Sequence, residues 1–119
     1  MAIYTKRIYE EVSEKDGKRI LVDRLWPRGI KKENAHIDVW LKEITPSNDL
    51  RKWYHQDIEH RWDEFRLKYK AELEQQQAHL EQLRQWGQQG PVTLLTAVKN
   101  EDHNHLTVLL EVLNHPVSS

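Results

Sequence analysis

Two stretches of this chain concentrate the side-chain types that chemistry needs. Asp23-Arg24-Leu25-Trp26-Pro27-Arg28-Gly29 carries two guanidinium groups, planar forks suited to a carboxylate or phosphate. It adds an indole face for stacking and a glycine that allows close backbone approach. Lys99-Asn100-Glu101-Asp102-His103-Asn104-His105 supplies another cation, side-chain amides and imidazoles that exchange protons near neutral pH. Ser47, Arg51 and His55 fall at i, i+4 and i+8, which places all three on one helical face. Together these residues suggest a site for a small anionic molecule bearing phosphate or carboxylate. Arg24, Trp26, Arg28, Arg51, Lys99 and Asn104 are its candidate binding groups, and His55 and His105 its candidate proton-transfer groups.

The same residues have structural alternatives. Arg24 can pair with Asp23 or a helix carboxylate, Trp26-Pro27 can be a packed turn, and the 47/51/55 face can be a polar exterior. Glu101 and Asp102 suit a helix start but repel an anion there. His55-x-Asp57-x-x-His60 and His103-x-His105 contain ligand types at no recognised spacing, so no metal or other cofactor is expected. Nucleophile-elbow, dinucleotide and Walker loops are absent, with only four glycines in the chain. The absence of cysteine excludes thiol catalysis and disulfides.

The elements that must position these groups are legible in outline. Ile3–Tyr9 reads as a peripheral strand, and Asp16-Gly17 as a turn. Arg19–Leu25, with Ile20-Leu21-Val22, reads as a strand buried on both faces, and Val92–Val98 as a second. Ile37, Trp40, Leu41 and Ile44 fall at i, i+3, i+4 and i+7, a helical stripe. Thr45, with Pro46 at the first helical position, is the expected cap of a helix carrying Leu50, Trp53 and Tyr54. From Glu59 to Trp86 the period is again helical. Such a helix would reach roughly 40 Å, so it either breaks near Gln75-Gln76-Gln77 or projects beyond the core. Gly87 and Gly90-Pro91 end it, and Asn100 is the expected cap of a last helix with Glu101 and Asp102 in its first turn.

This order predicts a small α/β fold, a mostly parallel three-stranded sheet with helices on both faces. The long helical crossover makes the two buried strands parallel, while the pairing of the first strand stays open. In such sheets ligands bind at the carboxyl ends of the strands, where both chemistry-bearing stretches fall. Trp40, Trp53 and Trp62 read as core, Trp86 as a helix end and Trp26 as a contact residue.

Composition bounds the rest. The 119 residues fit one domain, 38% apolar and 31% charged. No run approaches the ~18 apolar residues of a membrane span, and Met1–Arg7 lacks a secretory apolar stretch. A cytoplasmic protein without membrane partners is the expectation. The net charge of −1 hides a segregation. Residues 1–32 carry nine Lys/Arg against five Asp/Glu, and the remainder nine against fourteen. That leaves room for a local basic site but argues against nucleic acid, which needs a broadly basic face.

Arg19-Ile20-Leu21-Val22-Asp23-Arg24-Leu25-Trp26-Pro27-Arg28-Gly29-Ile30 resembles a signature of the YeaO-like proteins, a domain of unknown function (488). Trp40–Ser47, Leu50–His55, Phe65–Leu73, Val92–Asn100 and Asn104-His105 are similar as well, so the resemblance covers residues 1–119 nearly throughout. It implies a cytoplasmic bacterial protein without an established reaction. Longer relatives carry a Cys-His-Arg element after the last strand, where this chain has Asn104-His105 and no cysteine. Two readings follow: an enzyme acting on a small anion, or a non-catalytic ligand-sensing or protein-interaction module. The second draws on the 59–86 helix as a self-association surface, with Gln76 and Leu80 as its test positions.

Overall fold

The computed structural model describes residues 2–100 and 103–114. In chain order the strands are β1 (Ile3–Arg7), β2 (Lys18–Leu21), β3 (Val39–Trp40) and β4 (Val92–Thr96). The helices are α1 (Lys32–Ala35), α2 (Asn48–His55), α3 (Ile58–Leu73), α4 (Gln77–Gln89) and α5 (His105–Asn114). Single 3-10 turns lie at Glu14–Asp16, Lys42–Ile44 and Glu74–Gln76.

The two most apolar strands take the centre. The sheet order is β1-β4-β2-β3 and every pairing is parallel, with Ile20 opposite Leu94 and Ile3 opposite Val92. Parallel strands need both faces covered, and alternation divides their side chains accordingly. Ile20, Val22, Val92 and Leu94 face the main core, which they share with residues of α2, α3, α4 and α5. Leu21 and Leu95 face the other way, into a smaller cluster with Ile8, Trp26, Ile30, Ile37 and Trp40. On that side the chain's cover is the loop after β2 and the one-turn α1, whose Ala35 carbonyl accepts from Arg19 at 3.2 Å.

The sheet has four strands rather than the expected three, and the fourth comes from the supposed helical stripe. Val39 and Trp40 pair with Ile20 and Leu21. The Asp38 and Leu41 N–H groups donate to the Arg19 and Leu21 carbonyls. The open edge of β2 demands hydrogen bonds, and that tertiary demand overrides a short helical period. Only Lys42–Ile44 winds into a turn. Thr45 is not the next cap; Ser47 caps α2, its hydroxyl accepting from the Leu50 N–H at 3.2 Å.

The long helical stretch breaks at Glu74–Gln76. The break lets Phe65, Tyr69 and Leu73 of α3 and Leu80 and Leu83 of α4 enter one core. Leu80 is therefore buried, not a surface position. Gly87 lies inside α4, and Gly90 caps it. No helix among the described residues is long and apolar enough to cross a membrane.

A buried ion cluster pins the amino-terminal end of the sheet. Asp16 accepts from Arg19 Nη1 at 2.5 Å, Lys6 Nζ at 3.1 Å and the Ser13 N–H at 3.0 Å. Gly17, at φ +64°, follows; a Cβ there would stand 2.1 Å from the Pro91 carbonyl oxygen. The expected Asp16-Gly17 turn thus has a steric as well as a conformational reason to carry glycine.

Candidate functional site

The carboxyl ends of β2 and β4 are held together by Asp23. Its carboxylate accepts from the Thr96 hydroxyl at 2.6 Å and the Ala97 N–H at 2.8 Å. His105, the first residue of α5, is buried against the same junction. Its Nε2–H donates to the Val22 carbonyl and stands 3.5 Å from Asp23 Oδ1. The helix is capped by Asn104, whose Oδ1 accepts from the Leu106 N–H at 2.8 Å and the Thr107 N–H at 3.2 Å. Its Nδ2 donates to the Asn100 carbonyl. Asn100, expected as the cap, instead receives the His103 N–H within the preceding loop. Glu101 and Asp102 lie outside the described residues.

The loop after β2 folds back on two supports. Arg24 donates from Nε to the Pro46 carbonyl at 3.2 Å and from Nη2 to that of Thr45 at 3.5 Å. Trp26 donates from its indole to the Ile30 carbonyl at 2.7 Å and meets Trp40 edge to face at 5.4 Å. Both side chains are thus tied into the scaffold. Arg28 differs. Its carbonyl accepts from the Tyr9 hydroxyl, but its exposed guanidinium has no partner among the described residues.

From the other side α2 contributes Arg51, Tyr54 and His55. Ser47 shares their helical face in sequence, but its hydroxyl and N–H donate to the Glu72 carboxylate at 2.6 and 2.8 Å, which docks α2 on α3. Arg51 makes one long contact, 3.5 Å to Asn48. Tyr54 stacks on Phe65 at 4.4 Å, and Trp62, beside Phe65, stacks on His103 at 4.6 Å. Tyr54 is 7% exposed, and its hydroxyl is buried without a hydrogen-bond partner among the described residues. Burial raises its pKa above the usual phenol range, so the group is a neutral donor.

These elements border an open cavity of about 450 Å³. Of the residues singled out in sequence, Arg24, Trp26, Arg28, Arg51, His55, Asn104 and His105 line it. Lys99 does not; it is exposed beyond the end of β4. His60 is also remote, exposed and bonded to Asp57 at 2.9 Å. Among the described residues no three His, Cys, Asp or Glu side chains gather as a metal site would require. Sequence reasoning missed Tyr54 and the clasp made by Asp23. Tyr54 reads as core by spacing, and nothing local marks its hydroxyl as unpartnered. Asp23 adjoins the arginine loop, but its bonds run to residues more than seventy positions away.

Relatives share this chain over nearly its whole length. An uncharacterised protein of Escherichia coli, YeaO, is 46% identical over 113 residues, covering 95% of this chain and 97% of its own. Uncharacterised proteins of Mycobacterium tuberculosis and Mycobacterium bovis are each 42% identical over 108 residues, covering 91% of this chain and 90% of theirs. No solved structure matches. A family model described as the inactive DUF488-N3 subclade matches residues 2–119. With the arginine-tryptophan loop and the parallel sheet in place, the chain belongs to the DUF488 family, in the branch described as the inactive DUF488-N3 subclade.

Proposed function

We propose that this domain is a non-catalytic binding module for a small molecule bearing a carboxylate or phosphate. The observation that carries this reading is the unpartnered Arg28 guanidinium on a largely apolar cavity at the carboxyl ends of parallel strands. Arg51 and His55 supply further positive or protonatable character from α2. Groups suited to chemistry are engaged elsewhere: His105 is held by Val22 and Asp23, and Arg24 by two backbone carbonyls. The description of the matching subclade as inactive accords with this. A bacterial setting accords with the organisms of the relatives, and a cytoplasmic one with the family resemblance.

Thermal unfolding in rising inorganic phosphate, and separately in benzoate, tests the reading. A ligand that binds only the folded state raises the midpoint with concentration. The wild type is expected to shift, and Arg28→Ala to unfold at an unchanged temperature and lose the shift. No shift for either anion, or an equal shift in wild type and Arg28→Ala, overturns it.

One observation favours a second reading, in which His55 transfers a proton to a bound substrate. Its exposed ring lines the cavity and meets only the edge of Tyr54, at 5.9 Å, among the described contacts. Turnover of an anion that binds, lost in His55→Gln with binding retained, would establish this enzyme instead.

A further inference from the structure

The sheet ends differently on its two sides. At one edge β3 is only Val39–Trp40, too short to recruit another strand. At the other, β1 runs from Ile3 to Arg7. Along a strand in a parallel ladder, alternate residues bond to opposite sides. The Ala2 carbonyl accepts from the Val92 N–H, and the Ile8 N–H donates to the Thr96 carbonyl, so even-numbered residues face β4. Odd-numbered residues therefore turn their backbone groups to the open edge. Arg7 is already closed there. Its N–H donates to the Glu10 carboxylate at 2.7 Å, and its carbonyl accepts from the Glu10 N–H at 3.0 Å. The outward N–H and C=O groups of Ile3 and Thr5 have no partner among the described residues. Between them Tyr4 is 57% exposed, and Thr5 is exposed as well.

We propose that this edge pairs with the same edge of a second copy, antiparallel, about a two-fold axis through Tyr4. That register sets Ile3 of each copy opposite Thr5 of the other. Each such pair exchanges two hydrogen bonds, which satisfies every outward group of both residues. Centring the axis on Thr5 instead would call on Arg7, whose groups Glu10 holds. The clamp at Arg7 thus selects the register that residues 3 and 5 complete by themselves. The two Tyr4 rings come opposite each other in a non-hydrogen-bonded pair, where side chains lie closest and aromatic pairs are favourable. Lys6 falls opposite Ala2, so no like charges meet. The strand is complementary to itself, which makes a second copy its occupant. One continuous sheet then runs through both copies. So short a ladder makes a weak dimer, populated at high concentration.

Sedimentation velocity of the full chain, from micromolar to millimolar concentration, tests the pairing. Wild type is expected to pass from monomer to dimer. Thr5→Pro deletes an N–H that β4 does not use, so the sheet itself tolerates it. Half of the intermolecular bonds are lost, and association should weaken about tenfold or more. Tyr4→Lys sets two ammonium groups opposite each other at the axis and should leave only monomer. Its position is exposed, so it decides the matter even if Thr5→Pro fails to fold. Wild type that stays monomeric leaves the edge to a different strand and overturns the proposal. A dimer that survives Tyr4→Lys overturns it too. Leu67, 69% exposed on α3, is the rival surface. A dimer lost in Leu67→Lys but kept in both β1 variants places association there, against the proposal.

Discussion

His105 Nε2 donates to the Val22 carbonyl and stands 3.5 Å from Asp23 Oδ1, so the histidine at the carboxyl ends of the strands is a clasp. It joins α5 to β2 at the point where Asp23 joins β2 to β4. His105→Ala is expected to lower unfolding stability by about 1–3 kcal/mol, because a buried carbonyl loses its donor. Urea denaturation measures this. Anion binding per folded molecule should be retained, and its loss in a folded variant would return His105 to the ligand.

Arg24 and Arg28 lie four residues apart and should respond oppositely. Arg24→Ala removes donors from the Thr45 and Pro46 carbonyls and should cost about 1 kcal/mol of stability. Arg28→Ala breaks no side-chain bond among the described residues and should stay within about 0.5 kcal/mol of wild type. Comparing the two denaturation curves decides the matter. An unaltered Arg24→Ala midpoint would mean that its carbonyl contacts carry little stability.

Tyr54→Phe should stabilise the ligand-free protein. It removes a buried unpartnered hydroxyl while keeping the ring that packs on Phe65. The gain is about 1 kcal/mol, a rise of a few degrees in melting temperature. A lower melting temperature would show that the hydroxyl has a partner in solution.

Acid should weaken the end of the sheet that Asp16 pins. Burial pushes its carboxyl up, but the Ser13 N–H and the Lys6 and Arg19 cations outweigh that and hold it below the usual value. A carboxyl depressed on folding contributes stability that is complete above its unfolded pKa and lost as pH falls through the folded one. Stability should therefore decline from about pH 5 downward, and Asp16→Asn should flatten that decline. The variant should also be less stable at neutral pH by about 3 kcal/mol, since Arg19 is left buried without its counter-charge. Denaturation across that pH range reads both effects.

Consecutive apolar residues by themselves marked Ile20-Leu21-Val22 and Val92–Val98 as interior strands, and the helical crossover between them made them parallel. That placed the candidate site, because the arginine loop and the histidine loop directly follow those strands. The same logic misread Ile37–Ile44, whose spacing fits a helix while its backbone is drawn onto the open edge of β2. A local period cannot register an unpaired edge elsewhere in the fold. Side-chain roles were decided later still. Arg24, Arg28, Tyr54 and His105 are all chemically capable in sequence, but Pro46 and Val22 occupy the first and last, and the Arg28 guanidinium and the Tyr54 hydroxyl have no hydrogen-bond partner among the described residues. Residue type and spacing determine what a group can bind. Only tertiary packing determines whether a backbone carbonyl reaches it first.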